Sequence, residues 1–321
     1  MDDDLRRELV ESTRELIART PDGLTATVLE EFGWDDVLAE HPEEAVASMF
    51  QEIGSAASAS AALDLVILRA APALAEFGPF TVCRLAAVPE PLIPGASIEL
   101  RGYLTACGAA APATAVAWHP AADTVAVLDL PGSGTEVDDV AGVDPSKRLR
   151  TIVAPQARVW EICDGATASA IRHSIMRANA YEQLGVARAI LAVAAEHVRE
   201  RRQFGQQIGA YQAVQHRLAD VFVAAESAQE ALDASWSAAA DIAVPTAALL
   251  AARTAALAVQ HGLQVCGGMG FTEEFSFAAQ IRRSVLLADL YWSEGELAHT
   301  IGERIGAGGT LPRLAASVGA G

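Results

Sequence analysis

The sequence predicts a mostly α-helical chain with a small β domain in its middle: a helical region over residues 1–77, an antiparallel β domain over 78–165, a four-helix bundle over 166–305 and a frayed tail over 306–321. Three observations predict it. Apolar residues step by three and four over residues 3–75 and again after 166, a spacing that lays one stripe of side chains along a helix. Between 78 and 165 the period shortens toward alternation, with Pro and Gly between the short runs. Beyond 166 the helical pattern is interrupted at Phe204-Gly205 and Gly267-Gly268, so long helices follow one another with short connections.

The elements follow in order. Residues 5–10 and 13–17 continue one helical stripe until Pro21-Asp22-Gly23 breaks it, and further helices are expected over 24–32 and 42–53. A small-residue stretch over 54–62 leads into a helix over 63–71, which Pro72 stops. Strands are expected over 81–86, 97–104, 114–118 and 124–130, and an Asp-Pro turn over 143–149. In the bundle, Leu184, Ala187, Leu191, Ala194 and Val198 mark the first helix, and Tyr211, Val214, Leu218, Val221 and Ala225 the second. A third is expected to start at Pro245, a residue suited to a first helical turn, and to carry Leu249, Ala252, Ala256, Val259 and Leu263. The fourth is expected to begin near Ala279 and to run past Ile301 with an internal Gly295.

Composition bounds the function. With 321 residues, 51% of them hydrophobic, the chain buries a sizeable core. Its net charge of −18 argues against a general polyanion-binding surface, and nucleic acid is a poor partner. An anionic ligand needs a local basic site, for which Arg199, Arg201 and Arg202, or Arg282 and Arg283, are the candidates. Cys83, Cys107, Cys163 and Cys266 show no Cys-x-x-Cys spacing, and His173, His197, His216, His261 and His299 show no metal-ligand spacing. Reduced thiols, an acidic Met1-Asp2-Asp3-Asp4 start and the lack of an uninterrupted apolar run of about 18–20 residues lead to the expectation of a cytoplasmic protein without a membrane span.

The stretches that carry chemistry are Arg201-Arg202-Gln203-Phe204-Gly205 and Gln264-Val265-Cys266-Gly267-Gly268-Met269-Gly270-Phe271. A guanidinium binds a diphosphate bidentately, and glycine amides free of Cβ approach a phosphate closely. The bland alternatives are a cation complementing a helix C-terminus and a glycine C-cap. Together the two stretches resemble the C-terminal domain of acyl-CoA dehydrogenases. In that family an Arg-x-Gln-Phe-Gly turn joins two long helices and reaches across a subunit interface to the diphosphate end of a neighbour's FAD, and the Gln-x-x-Gly-Gly turn serves the same flavin. The resemblance implies FAD contacts at Arg201, Gln203, Phe204, Gln264, Gly267 and Gly268. Residues 30–38, with Gly33-Trp34, and 143–149 are similar to two further turns of the family.

What the resemblance does not supply is the base. The family needs a carboxylate to remove a proton α to the thioester while the β-hydrogen leaves as hydride to the flavin. Its usual Ile-Tyr-Glu-Gly-Thr segment corresponds to Asp289-Leu290-Tyr291-Trp292-Ser293-Glu294-Gly295-Glu296, which puts Trp292 or Tyr291 at the Glu position. The alternative site on the first bundle helix, about ten residues before a Gly matching Gly185, falls at Ile175 and Met176. The flavin-gripping loop of the β domain leaves only an echo in Val88-Pro89-Glu90-Pro91 and Pro94-Gly95-Ala96-Ser97. The expected function is therefore that of a subunit of a heteromeric FAD-dependent acyl-CoA dehydrogenase, like those of actinobacterial steroid degradation. It would assemble two-and-two with a full-length homologue, share that partner's FAD and be inactive alone. The alternatives are a self-sufficient dehydrogenase with Glu294 as a displaced base and a flavin-free scaffold of the same fold.

Overall fold

The computed structural model describes residues 1–87, 92–104, 112–140, 142–237, 240–268 and 277–308. Val88-Pro89-Glu90-Pro91, Cys107, Met269-Gly270-Phe271 and the tail from 309 lie outside the described residues. Chain contacts group Met1–Ile53 with Ala57–Ala178 as one compact unit, and Gly54–Ala56 with Asn179–Gly321 as a second.

The first unit begins with helices α1 (Asp3–Arg19), α2 (Ala26–Glu31), α3 (Trp34–Glu40), α4 (Pro42–Ala56) and α5 (Ala62–Ala70). Asp2 and Thr25 accept from backbone amides as N-caps of α1 and α2. Gly33 takes φ +73 between α2 and α3, and Trp34 after it is fully buried, as are Leu29, Leu38 and Met49. Arg14 clamps Glu52 through Nε and Nη2 at 3.0 and 2.9 Å, tying α1 to α4.

Strands β1 (Thr81–Leu85), β2 (Ser97–Leu104), β3 (Thr114–Trp118), β4 (Val125–Asp129), β5 (Glu136–Asp139) and β6 (Arg150–Ile162) form one sheet in the order β2-β1-β3-β4-β6-β5. The long β6 also pairs with β2, so five strands close into a ring around Leu100, Leu104, Leu128, Ile152 and Val159. The expected all-antiparallel domain needs one correction: β3 pairs with the edge of β1 that β2 leaves open, and the two run parallel. Strand β5 was not expected, since Glu136, Asp138 and Asp139 give it no apolar alternation. In the Asp-Pro turn, Asp144 caps a short helical turn at Pro145–Lys147 by accepting from the Ser146 amide.

Helix α6 (Gly165–Glu200) runs from the first unit into the second, where α7 (Gln212–Ser237), α8 (Ala240–Cys266), α9 (Ala278–Leu290) and α10 (Glu294–Gly306) follow. Two expectations are corrected here. Helix α8 starts five residues before Pro245, which lies buried inside the helix where its ring forgoes one backbone hydrogen bond. The expected fourth helix is two helices. Ser293 caps α10 by accepting from the Glu296 amide, while Glu296 accepts from the Ser293 amide at 2.7 Å, a capping box that the Ser-x-x-Glu spacing encodes. Gly295 thus sits in the first turn of α10. Helix α8 is long and apolar enough to cross a membrane by composition alone, but 56% of its apolar window is buried within the protein.

Asp64, in the first turn of α5, fastens the start of the sheet: its carboxylate accepts from the Val82 amide at 3.0 Å, and the Thr81 hydroxyl lies 3.4 Å away. Burial of this carboxyl pushes its pKa from the ordinary 3.8 to about 7, against the pull of those two donors. The folded chain therefore holds this proton more tightly than the unfolded one. The corresponding stability is whole below about pH 4 and is lost as the pH rises to about 7. Asp64→Asn keeps an acceptor for Val82 and should flatten that decline. Melting temperatures of both forms across this range test it, and superimposable pH profiles would show that Asp64 titrates as it does in the unfolded chain.

Candidate functional site

Helix α6 does not simply stop at Glu200. The Arg201 amide still donates to the His197 carbonyl at 2.9 Å, and the Ile208 amide then donates to the Arg201 carbonyl at 2.9 Å. Between these bonds the chain folds into a two-stranded hairpin of β7 (Arg202–Gln203) and β8 (Gln206–Gln207), in which Arg202 faces Gln207 and Gln203 faces Gln206. The two-residue loop is Phe204-Gly205, with φ of +51 and +85. Positive φ at both central residues is what the right-handed twist of a hairpin asks of a two-residue turn. Glycine accepts it freely, but a phenylalanine there costs about 1–2 kcal/mol. Despite that cost Phe204 is 91% exposed, so the packing of this chain does not repay it.

The base of the hairpin is rigid where its tip is bare. Ile208 packs into the cluster of Val198, Val221, Val265 and Cys266, and a Cβ on Gly209 would lie 2.9 Å from the Val198 carbonyl oxygen. Gln215 donates to the Gly209 carbonyl at 2.9 Å. Arg201, Arg202 and Gln203 are exposed beside the ring.

The second predicted element is rooted in the same cluster through Val265 and Cys266. Gln264 is exposed on the last turn of α8, and Gly267 follows the helix with φ +63, as a glycine C-cap does. At Gly268 the backbone φ is ordinary, and space is open around the Cβ positions of both glycines. Both glycines are exposed, with no side chain of their own between backbone and ligand. Burial pushes the Cys266 thiol up to about 11, which leaves it protonated and unreactive at neutral pH.

These residues fit the phosphate end of a dinucleotide. Residues 197–217 carry four Arg and two His against the single carboxylate of Glu200, in a chain whose net charge is −18. Exposed guanidiniums, an exposed ring and open glycine amides are the groups such a ligand engages.

Neither of the two positions expected for a base carries a carboxylate. Tyr291 and Trp292 are buried at 4% and 2% exposure, and Ile175 and Met176 are buried as well. Glu294 opens α10 on the surface, where Arg253 donates to its Oε1 from Nε at 2.8 Å and from Nη2 at 2.6 Å. Both side chains are 56% exposed, so this is a solvated ion pair joining α8 to α10. Glu296 is engaged in its capping box.

The second basic candidate is corrected at Arg283, while Arg282 beside it is half-buried. Arg283 is fully buried and donates to Glu182 Oε1 at 2.6 Å, so it is unavailable to an external anion. Glu182 escaped the sequence reading because it lies 101 residues away. The signal was a charged residue on an apolar helix face, which in a dry interior demands a partner. Backbone fit reinforces the pair: a Cβ on Gly54 would collide with the Glu182 carbonyl, and Gln280 donates to the Ser55 carbonyl at 2.6 Å.

A helical N-terminal region, a small β domain and a C-terminal helical bundle carrying these turns define the acyl-CoA dehydrogenase-like fold. Residues 157–291 match the acyl-CoA dehydrogenase C-terminal domain. Acyl-CoA dehydrogenase IpdE2 of Mycobacterium tuberculosis is 28% identical over 158 residues, which are 49% of this chain and 48% of that protein. The chain thus matches about half the length of this relative. Among solved structures, a variant of the steroid ACAD Tcur3481-Tcur3483 superposes with a TM-score of 0.71 at 19% identity, covering 95% of this chain and 98% of that one. The ChsE4-ChsE5 complex from Mycobacterium tuberculosis gives 0.70 at 18% identity, with the same two coverages.

Two outcomes check this geometry. Phe204→Asn creates the Asn-Gly pair that such turns favour and should stabilise the chain by about 1 kcal/mol; a loss of similar size in denaturant unfolding would mean that the ring supports the fold. Glu182→Gln strands a buried guanidinium and should cost about 3–5 kcal/mol, whereas Glu182→Leu combined with Arg283→Met should cost less than either single change.

Proposed function

We propose that this chain is a subunit of a heteromeric, FAD-dependent acyl-CoA dehydrogenase that completes the FAD diphosphate site of a catalytic partner. The observation that carries the reading is a contrast within the one chain. The hairpin tip and glycine turn are built and exposed, while both positions for a base hold buried residues without a carboxylate. A chain that keeps only the donated half of a site requires a partner with the other half.

When bound, FAD would accept the β-hydrogen as hydride. Arg201 would hold the diphosphate, the amides of Gly267 and Gly268 and the Gln203 and Gln264 side chains would complete its ligation, and Phe204 would cover the adenosine-ribityl part. The proton α to the thioester would go to a carboxylate of the partner, a full-length homologue. The similarity to IpdE2 and the fold shared with a steroid ACAD support an acyl-CoA substrate, of which a steroid-derived thioester is the first to try. That the similar ChsE4-ChsE5 structure is a complex supports a heteromer. Cys83, Cys163 and Cys266 are free thiols, in keeping with work in the cytoplasm.

Coexpression with a neighbouring full-length homologue should give an assembly of two copies of each chain with half as many flavins as subunits, read by native mass spectrometry and flavin absorbance. This chain alone should be colourless and inactive on acyl-CoA. A yellow homotetramer with one flavin per chain would refute the proposal, and a colourless, stable chain that binds no homologue would favour the scaffold.

A further inference from the structure

We infer that His197 is a second contact for the phosphate group at Arg201, so that this end of α6 binds a diphosphate more tightly once the imidazole is protonated. The inference rests on the reading of Arg201 as a phosphate ligand and adds a residue and a pH dependence to it.

The geometry comes from the helix. Arg201 follows the last residue of α6, but its amide still donates to the His197 carbonyl at 2.9 Å, so the turn continues to it and the two side chains leave the backbone about 5–6 Å apart. A phosphate seated on the Arg201 guanidinium is then within reach of the imidazole one turn earlier. The imidazole is partly buried, so an anion there finds a group shielded from bulk water.

The surrounding charges set the direction. Burial, followed by the positive charge of Arg201, holds the His197 pKa below the usual histidine value, while Glu200 pulls weakly the other way. Glu196 also adjoins His197 on α6, and the last turns of α8, whose Val265 and Cys266 pack with Val198, carry His261. The hairpin contributes Arg202, the Ile208–Ala210 turn carries no charge, and α7 offers His216 and Arg217 before its first acid, Asp220. Without a ligand, His197 is therefore mostly neutral at pH 7. A bound diphosphate offsets the Arg201 charge and rewards protonation, so the pKa rises on binding and affinity grows as the pH falls into the range where the imidazole takes up its proton.

The test uses the full-length chain and ADP-ribose, a diphosphate diester resembling the adenosine half of FAD and having no group that titrates between about pH 5 and 8. Affinity is measured by calorimetry across that range for the wild type and for His197→Gln, His197→Lys and Arg201→Ala. Each unit by which binding raises the pKa strengthens affinity up to tenfold, so the wild type should gain several-fold, and up to about tenfold, on acidification. His197→Gln should be flat at the level the wild type shows at high pH, and His197→Lys, charged throughout, flat at the level it shows at low pH. Equal slopes for the wild type and His197→Gln would overturn the inference, as would a failure of His197→Lys to restore tight binding. Absence of binding by the wild type at every pH would also overturn it, leaving the heteromer to stand or fall on its flavin count. Undiminished binding by Arg201→Ala would instead remove the phosphate reading of Arg201.

Discussion

The second unit is organised around a guanidinium that has no water to turn to. Arg283 is wholly buried, and its charge is tolerated because Glu182 meets it at 2.6 Å. Such a pair adds little net stability, since desolvating two ions consumes most of their attraction. What it imposes is register, for α6 and α9 pack in the one way that brings the two groups together. Gly54 and Gln280 follow from the same constraint, the glycine by letting the α4 backbone approach the Glu182 carbonyl and the glutamine by anchoring Ser55. The apolar cluster that roots the hairpin and the glycine turn lies in this same unit.

On that framework, rigidity and exposure are divided along a few residues. Gly209 and Ile208 are held by contacts with the end of α6, while Phe204, four residues before Ile208, is in solvent. A strained and exposed aromatic is a poor choice for a free-standing surface. It becomes intelligible if another molecule covers the ring, because a pre-formed hairpin loses little conformational entropy on docking.

Much of this was legible in the sequence, and the reasons for the rest are physical. Long helices announce themselves by period, so α6 and α7 were readable from Leu184 and Tyr211 onward. Strand β5 was not, because its acidic residues carry no burial pattern, and the parallel pairing of β1 with β3 is a matter of topology that no local pattern records. The capping box at Ser293 was encoded locally but lay hidden beneath an apolar periodicity that continues across it. Pro245 misled because a residue that favours first turns is also tolerated deeper in a helix buried on most sides. Among the site residues, Arg201, Phe204 and Gly267 were recognisable by motif. Glu182 was not, since its partner is distant in sequence, and the coupling of His197 to Arg201 needed the helix face and its burial.

The residues at the expected base position also bear on how this chain can change. Trp292 is packed at 2% exposure and Tyr291 at 4%, and both lead directly into the Ser293 cap that starts α10. A glutamate at either place would leave a cavity, and its charge would face a dry interior. Glu294 cannot be moved inward without releasing Arg253 and restarting the helix. A carboxylate at this place is not gained by one substitution: the space it would need is filled as core, so each single step toward it crosses a less stable fold. In the heteromer proposed above, dependence on the partner would act as a ratchet, kept by the packing of a tryptophan even under conditions where an independent enzyme would be favoured.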